Sequence, residues 1–262
     1  MTSALIGHSG FVGTTLKRQR AFDHLFRSTD IADIAGHAFD LVICAAAPAQ
    51  KWIANAEPDE DAANLDRLMS HLGTFSCERF VLISTADVFK TPVGVDEDTE
   101  PEITGLHAYG RNRLRLERFV ALCFADTLIL RLPGLVGPGL RKNVIYDLLN
   151  NNNFAAIDSR GVFQFYPMVK LWADIAMGLA RRLTMLHLTA EPVSVEEVAR
   201  EGFGFDFTQH LAGAPAIYDF RSRHAAEFGS DGPYQYSRRE TLLAIRTYAQ
   251  SEPRSGLGSP KV

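Results

Sequence analysis

The sequence predicts an α/β fold with a doubly wound parallel β-sheet, and two observations support this. Short apolar segments typical of buried strands alternate with segments of helical periodicity up to about residue 140. A glycine-rich turn, Gly7 to Gly13, joins the first apolar segment to the first helical one. This order predicts strand, tight turn and helix at the start of the sheet.

The predicted elements follow one another closely. The apolar or alternating segments predict strands over 4–6, 24–28, 40–47, 79–84 and 127–132, the last of which Pro133 stops. The uninterrupted apolar run over 40–47 is typical of a parallel strand that is covered on both faces. Helical periodicity predicts helices to about residue 21 and over 58–72, 109–124 and 143–150.

Composition excludes several classes of protein. The chain of 262 residues has a net charge of -4 and no dense basic stripe, which argues against a nucleic-acid partner. No apolar stretch approaches the roughly 20 residues that a membrane span needs, and no signal peptide follows Met1. The three cysteines lack metal-ligand spacing, so we expect no metal site. Free thiols fit a reducing compartment, and we expect the cytoplasm.

The glycines at 7, 10 and 13 predict a phosphate-binding loop. Glycine lets the backbone approach a phosphate, and the helix that follows offers free N–H groups and a positive dipole end. The alternative is a tight turn with packing glycines. Because the motif follows a strand and opens a helix, we interpret it as the pyrophosphate site of a Rossmann-type dinucleotide fold. The predicted cofactor-binding residues here are Gly7, His8, Ser9, Gly10, Phe11, Val12 and Gly13.

The end of the second strand bears on the choice of dinucleotide. An acidic residue at this point binds the ribose 2′-hydroxyl of NAD. Here Arg27 and Ser28 follow the strand, and an arginine with a hydroxyl suits the 2′-phosphate of NADP. Asp30 on the ribose, which would mean NAD, and a plain surface arginine are the alternatives.

Four segments together resemble a known family. They are the glycine loop, the segment from Phe80 to Phe89, the segment from His107 to Arg113, and the segment from Leu130 to Gly139. In this order and spacing they resemble the extended short-chain dehydrogenase/reductase family, the NAD-dependent epimerase/dehydratase group that acts on sugar nucleotides. The resemblance covers roughly residues 1 to 200.

The resemblance implies a set of catalytic residues. The family's hydroxyl falls on Thr85, its tyrosine on Tyr109, its asparagine on Asn64, and its lysine position on Arg113. A ketone that accepts hydride develops negative charge on oxygen, so a tyrosine can donate the proton if a nearby cation lowers its pKa. Tyr109 and Arg113 share a helix face, and Thr85 can orient the same oxygen. The further residues expected to line the cofactor are Ala45, Ala46, Tyr109, Arg113 and Pro133.

The chain also departs from the family pattern. Arg113 replaces a lysine, and a planar guanidinium differs from a point charge. Ala86 and Asp87 stand where the family's dehydratases have an Asp-Glu pair, which disfavours dehydration. The ten residues of 30–39 cannot hold the usual helix, strand and helix. We therefore expect a sheet abbreviated near its third strand.

The substrate side is predicted from Thr85 and three further residues. Lys51 follows a strand end that opens toward the cleft. Asn143 stands at a helix start, where it suits a diphosphate or serves as an ordinary N-cap. Gln164 replaces an arginine that the family often uses for the diphosphate.

These expectations divide the chain into three parts. Residues 1–140 form a dinucleotide-binding domain that also takes in about 163–190. Residues 141–250 form mainly a small C-terminal substrate-binding lobe. Residues 251–262, rich in Gly, Ser and Pro, form a disordered tail.

Three functions fit this organisation. The first is an NADPH-dependent reductase of a keto sugar nucleotide with Tyr109 as proton donor. The second is an NAD-dependent sugar-nucleotide epimerase, and the third is a non-catalytic NADP-binding sensor or scaffold. The expected partner is a nucleotide-sugar small molecule. A homodimer is compatible with the resemblance, through the helix that carries Tyr109 and the helix before it.

Overall fold

The computed structural model describes residues 1–254, and a parallel sheet lies at its centre. The strands in chain order are β1 Ser3–Ile6, β2 His24–Phe26, β3 Ala38–Cys44, β4 Ser76–Thr85, β5 Val93–Val95, β6 Thr127–Leu132, β7 Gly134–Val136, β8 Val162–Phe163, β9 Phe165–Pro167, β10 Met185–His187, β11 Val193–Ser194 and β12 Asp219–Phe220.

Helices cover both faces of the central sheet. They are α1 Phe11–Gln19, α2 Lys51–Ala56, α3 Pro58–Leu72, α4 Ala108–Cys123, α5 Val144–Asn150, α6 Leu171–Ala180, α7 Val195–Glu197 and α8 Arg238–Ser251. A π-helical turn, Val198–Phe203, follows α7 directly.

The central sheet has six parallel strands in the order β10-β6-β4-β3-β1-β2. The chain order reverses at β1, which pairs with β2 on one side and β3 on the other. Ligands of open α/β sheets bind outside the carboxyl ends of the strands at such a reversal. The glycine loop follows β1 at this point, so the predicted fold class is confirmed.

The predicted shortening of the sheet is also confirmed. Strand β2 forms the sheet edge, and only one 3₁₀ turn, Ile31–Ile34, lies between it and β3. Ile31 and Ile34 are buried beside Phe26 and Phe39. Their side chains close the core at this edge, where a further strand would otherwise cover it.

The two faces of the sheet contribute to different hydrophobic clusters. Alternate residues of one strand point to opposite faces, so Leu5 packs with α1 and α6 while Ala4 and Ile6 pack with α3 and α4. Leu65 and Leu68 of α3 are buried in the second cluster. These two leucines therefore serve the core of the protomer.

A third hydrophobic cluster lies in the C-terminal half. It joins α5, α7, the π-helical turn and α8 through residues such as Ile145, Val198 and Ile245. Strand β10 and helix α6, in contrast, belong to the central sheet and its covering layer. Of the stretch predicted to be a disordered tail, Ser251 is the last residue of α8, and 255–262 lie outside the described residues.

A buried ion pair connects α4 to the central sheet. Arg131 of β6 donates to Glu117 of α4 at 3.1 and 2.7 Å, and Ser84 of β4 donates to the same carboxylate at 2.5 Å. The Arg131 guanidinium also lies 3.4 Å from the His187 ring. Burial and the Arg131 charge lower the pKa of His187 to about 3, so this imidazole is neutral at ordinary pH. The four side chains join one helix to three strands.

Two further features concern membrane-spanning helices and free thiols. Within residues 1–254, no helix combines the length and the apolar content that crossing a bilayer requires. Cys44 is buried and Cys123 is exposed, and both are free thiols.

We predict that Glu117→Gln lowers the free energy of unfolding by about 3–5 kcal/mol, because it leaves the Arg131 guanidinium buried without its counter-charge. Urea denaturation measures this. The matched control is Asp66→Asn, which removes an ion pair to Arg115 whose side chains are 44% and 60% exposed. That change should cost less than about 1 kcal/mol. Equal losses of unfolding free energy in Glu117→Gln and Asp66→Asn would contradict the stabilising role of the buried Arg131–Glu117 pair.

Candidate active site

The glycine loop holds α1 against the ends of two strands. Gly7 has a φ of +87°, and a Cβ on it would lie 2.5 Å from the carbonyl oxygen of Ala45. A Cβ on Gly13 would lie 2.2 Å from the carbonyl oxygen of Gly7. Both distances exclude a side chain, so these two glycines are required by backbone packing.

Gly10 is different, because nothing among residues 1–254 crowds it. Its φ is -73°, and a Cβ on it would meet only the Gly7 carbonyl oxygen, at 3.6 Å. Gly10 is also the N-cap of α1, and in the part of the chain that the structure describes no side chain caps that helix end. The open helix N-terminus and the free space over Gly10 fit a phosphate group, which the first-turn N–H groups of Phe11 and Val12 would bind.

The other predicted loop residues lie around this cradle. His8 is half-buried and its Nδ1 lies 3.5 Å from the Lys17 ammonium, while Ser9 is exposed. Ala45 and Ala46 contact Gly7 from the end of β3. Pro133 is half-buried and directly follows β6. These residues border the carboxyl edge of the sheet, and their contact with a cofactor remains a prediction.

The end of β2 places both candidate ribose-binding residues together. The Asp30 carboxylate accepts from the Arg27 backbone N–H at 2.6 Å and lies 3.6 Å from its guanidinium. Arg27 remains 54% exposed, and Ser28 beside it is exposed as well. Asp30 therefore serves the turn, whereas the Arg27 guanidinium is open to an anion.

Tyr109 and Thr85 form the centre of the site. Thr85 ends β4 and Tyr109 stands in the first turn of α4, where its backbone N–H donates to Asn55 Oδ1 at 3.0 Å. The Thr85 hydroxyl accepts from the Asp87 N–H at 3.1 Å, and it is close enough to the Tyr109 phenol to lower the pKa of that group. The structure thus brings these two predicted catalytic residues together.

His107 fixes the start of the helix that carries the tyrosine. Its ring Nδ1 accepts from the Gly110 N–H at 3.0 Å as the N-cap of α4. A Cβ on Gly110 would lie 2.3 Å from the Asp87 carbonyl oxygen, so α4 packs directly on the segment after β4. Histidine at an N-cap is unusual, and the sequence reasoning did not anticipate this role.

Arg113 contacts Tyr109 but serves mainly as a buried bridge. Its guanidinium is 3% exposed, pairs with Asp61 of α3 at 2.5 Å, donates to the Pro48 carbonyl, and lies 4.2 Å from the Tyr109 ring centroid. Within residues 1–254 its Nε has no hydrogen-bond partner.

The expected effect of Arg113 on the phenol requires a correction. The guanidinium does favour the phenolate, but burial of Tyr109 outweighs it and raises the pKa of the phenol above its ordinary value. Tyr109 is therefore a protonated acid at neutral pH. The sequence reasoning missed Asp61, the counter-ion of Arg113, because nothing in the α3 sequence distinguishes it from the neighbouring acidic residues.

Asn64 is not joined to the Thr85–Tyr109 pair. Its side-chain oxygen accepts from Arg67 on the same helix. It lines a cavity of about 80 Å³ whose walls include Pro48, Ile53 and Asp61. Any contact of Asn64 with a substrate remains a prediction.

Two predicted substrate residues have their amides engaged within the protein. Asn143 caps α5, accepting from the Ile145 N–H at 2.9 Å and donating to the Leu135 carbonyl at 2.9 Å. Gln164 is 1% exposed, and among the described residues its amide bonds only backbone groups of Ala190 and Phe220. We therefore revise both predictions. Asn143 serves as the N-cap of α5, which was the alternative interpretation, and Gln164 links the backbone segments at Ala190 and Phe220.

Lys51, in contrast, does reach the site. Its ammonium donates to Asp87 at 2.7 Å, and the Tyr218 hydroxyl donates to the same oxygen at 3.2 Å. Lys142 reaches across to the Ala49 carbonyl in the loop after β3. Asp87 and Tyr218 were missed, since 131 residues separate them in the chain.

Comparisons by sequence identify no relatives. No protein-family model matches the chain, and no curated protein matches it.

Comparisons by structure match nearly the whole chain. A dTDP-4-dehydrorhamnose reductase from Clostridium acetobutylicum is 18% identical, with a TM-score of 0.68 over 95% of this chain and 99% of that one. MoeE5 in complex with UDP-glucose and NAD is 20% identical, with a TM-score of 0.70 over 95% and 99%. RMD from Pseudomonas aeruginosa complexed with NADPH is 16% identical, with a TM-score of 0.68 over 96% and 98%. The chain therefore has the Rossmann-type α/β fold of these proteins.

Proposed function

We propose that this protein is an NADPH-dependent reductase of a keto sugar carried on a nucleoside diphosphate. The observation that carries the proposal is the placement of the Tyr109 phenol beside Thr85 at the carboxyl end of β4, where the Thr85 hydroxyl is close enough to act on the pKa of the phenol. The similar structures support it, because one is a 4-dehydro sugar-nucleotide reductase and another was solved with NADPH. By analogy with that reductase, we place the reacting carbonyl at C4 of the sugar.

The chain's own residues would bind the cofactor at two places. The open N-terminus of α1 over Gly10 would hold the pyrophosphate, and Arg27 would hold the 2′-phosphate. When bound, NADPH supplies the hydride. Arg27 distinguishes NADP from NAD in this scheme, because Asp30 already accepts from a backbone N–H.

Tyr109 would donate the proton to the oxygen of the reduced carbonyl. The phenol is protonated at neutral pH, as a proton donor in the direction of reduction must be, while burial raises its pKa and so makes it a weaker acid than an exposed tyrosine. The Thr85 hydroxyl already accepts from the Asp87 N–H, so its own proton is available to the same oxygen. Arg113 acts as a positioning residue, because its guanidinium packs on the Tyr109 ring and anchors α4 to α3.

The remaining expectations complete the proposal. Residues 141–250 form the substrate-binding lobe, with β10 and α6 belonging to the dinucleotide domain. The protein acts in the cytoplasm on a nucleotide sugar and pairs with a second copy through α3 and α4.

One observation favours a second candidate function, a non-catalytic NADP-binding protein. Arg113 is committed to Asp61 and the Pro48 carbonyl, so it is not free to hold a ribose as the family's lysine does. The epimerase alternative stays open, and co-purification of the protein with tightly bound NAD would support it.

We predict that Gly10→Ala lowers NADPH affinity at least about tenfold, because the new methyl group fills the space meant for a phosphate. Its stability should change by less than about 1 kcal/mol. Gly13→Ala should instead lose about 2 kcal/mol or more of unfolding free energy, because its Cβ meets a backbone oxygen. NADPH titration and urea denaturation measure these effects. Gly232→Ala, at an uncrowded glycine, is the control. Unchanged NADPH binding by Gly10→Ala would contradict the cradle.

We predict that Arg27→Ala weakens NADPH binding about 10- to 100-fold and leaves NADH binding unchanged, because only NADPH carries the 2′-phosphate. Parallel titrations of the two dinucleotides test this. The control is Arg239→Ala, which removes an exposed arginine elsewhere on the surface. Equal losses for NADPH and NADH would argue against a 2′-phosphate contact.

We predict that Tyr109→Phe reduces NADPH-dependent turnover of dTDP-4-dehydrorhamnose and related keto sugar nucleotides about 10²- to 10⁴-fold, while NADPH affinity changes little. Turnover is measured as NADPH oxidation. Tyr234→Phe, which removes a hydroxyl bonded to Asp219, is the matched control. Turnover that survives in Tyr109→Phe would show that another group donates the proton. NADPH binding without turnover of any keto sugar by the wild type would favour the non-catalytic candidate.

A further inference from the structure

Asp87 places a carboxylate directly beside the proposed proton donor. It lies two residues after Thr85, and its backbone N–H donates to the Thr85 hydroxyl at 3.1 Å. Its negative charge is close enough to raise the pKa of the Tyr109 phenol. Neither the glycine loop nor the Thr85–Tyr109 pair requires this carboxylate.

Two donors from distant parts of the chain hold the Asp87 side chain. Lys51 Nζ, at the start of α2, donates to Oδ1 at 2.7 Å, and the Tyr218 hydroxyl donates to the same oxygen at 3.2 Å. Within residues 1–254 the other oxygen, Oδ2, accepts no hydrogen bond. A carboxylate has about four acceptor positions, so Asp87 retains unused capacity.

A purely structural role explains this arrangement poorly. The side chains of Lys51 and Asp87 are 39% and 20% exposed, and ion pairs with this access to water contribute little to stability. The buried pairs Arg113–Asp61 and Arg131–Glu117 already join α4 to its neighbours. What the Lys51–Asp87 pair adds is a fixed, partly exposed acceptor next to Thr85.

Sugar rings carry a hydroxyl group on the carbon next to a reacting centre, and an ionised carboxylate is a strong acceptor for such a group. If Thr85 and Tyr109 hold the oxygen of the reacting carbon, the adjacent hydroxyl group lies on the next ring carbon, one carbon–carbon bond away. Asp87 follows Thr85 in the chain and borders the same space. Lys51, which uses one of its three N–H donors on Asp87, can also donate to a ring oxygen.

We propose that Asp87 is a specificity-determining residue that accepts a hydrogen bond from the sugar hydroxyl adjacent to the reacting carbon, and that Lys51 is the positioning residue that holds it. This inference rests on the proposed function, since it assumes a nucleotide sugar at Thr85 and Tyr109. It narrows the substrate class to sugars that retain the 3-hydroxyl when C4 reacts.

The test is calorimetric binding of glucose and 3-deoxyglucose, each as the dTDP and the UDP derivative, to the full-length protein with saturating NADP. We expect the wild type to bind the 3-hydroxyl sugar 10- to 100-fold more tightly than the 3-deoxy sugar. Asp87→Ala should remove this preference by weakening only the 3-hydroxyl sugar. Lys51→Met should reduce the preference, and Lys51→Arg should restore most of it.

Controls separate this inference from a folding defect and from the proposed function. Asp87→Asn keeps the side-chain shape if Asp87→Ala fails to fold, and it should lower the preference at least threefold. Asp66→Ala, an exposed acid on α3, should leave both affinities unchanged. Equal affinity of the wild type for the two sugars, or equal losses for both in Asp87→Ala, would overturn the role of Asp87 alone. Failure of the wild type to bind any of the four compounds would overturn the proposed function, and this inference with it.

Discussion

The close approach of three backbone segments at the carboxyl edge of the sheet governs the rest of the site. Gly13 of α1 packs on the carbonyl of Gly7, and Gly7 packs on the carbonyl of Ala45. No side chain fits at either contact, so α1 lies directly on the ends of β1 and β3. The first turn of α1 begins directly after this contact, and within residues 1–254 no side chain caps it. Backbone packing thus leaves the helix end open, which is what the proposed phosphate site requires.

The Arg113 guanidinium lies near Tyr109 and was expected to lower the pKa of the phenol, but it contributes mainly to the packing of helices. A guanidinium buried this deeply needs a counter-charge, and Asp61 supplies it from α3. The pair then joins α3, α4 and the loop at Pro48, and the guanidinium faces the Tyr109 ring. The Arg113 guanidinium is thus shielded from solvent and engaged by Asp61 and the Pro48 carbonyl, which is a structural role. Burial of the phenol outweighs the attraction of the neighbouring cation, so the pKa of Tyr109 lies above its ordinary value.

Contacts distant in sequence complete the cleft. Asp87 after β4 meets Lys51 of α2 and Tyr218 of the C-terminal half. Glu97 accepts from the His187 backbone at 2.8 Å and from Ser222 Oγ at 2.7 Å, which ties the same C-terminal segment to the sheet. The proposed substrate side therefore combines segments that are far apart in the chain, while the glycine loop and its helix form one continuous segment.

Sequence alone determined the features that depend on local patterns. The apolar strands, the turn from Gly7 to Gly13, the short connection at 30–39 and the shared helix face of Tyr109 and Arg113 all follow from residue spacing, because backbone geometry repeats at fixed periods. Only the tertiary structure decided which polar groups remain available. Asn143 and Gln164 carry amides that could bind a ligand, but backbone groups far along the chain or at a helix end use them. The partner of Arg113 and the neighbours of Asp87 were likewise set by packing between elements, which spacing along one segment cannot reveal.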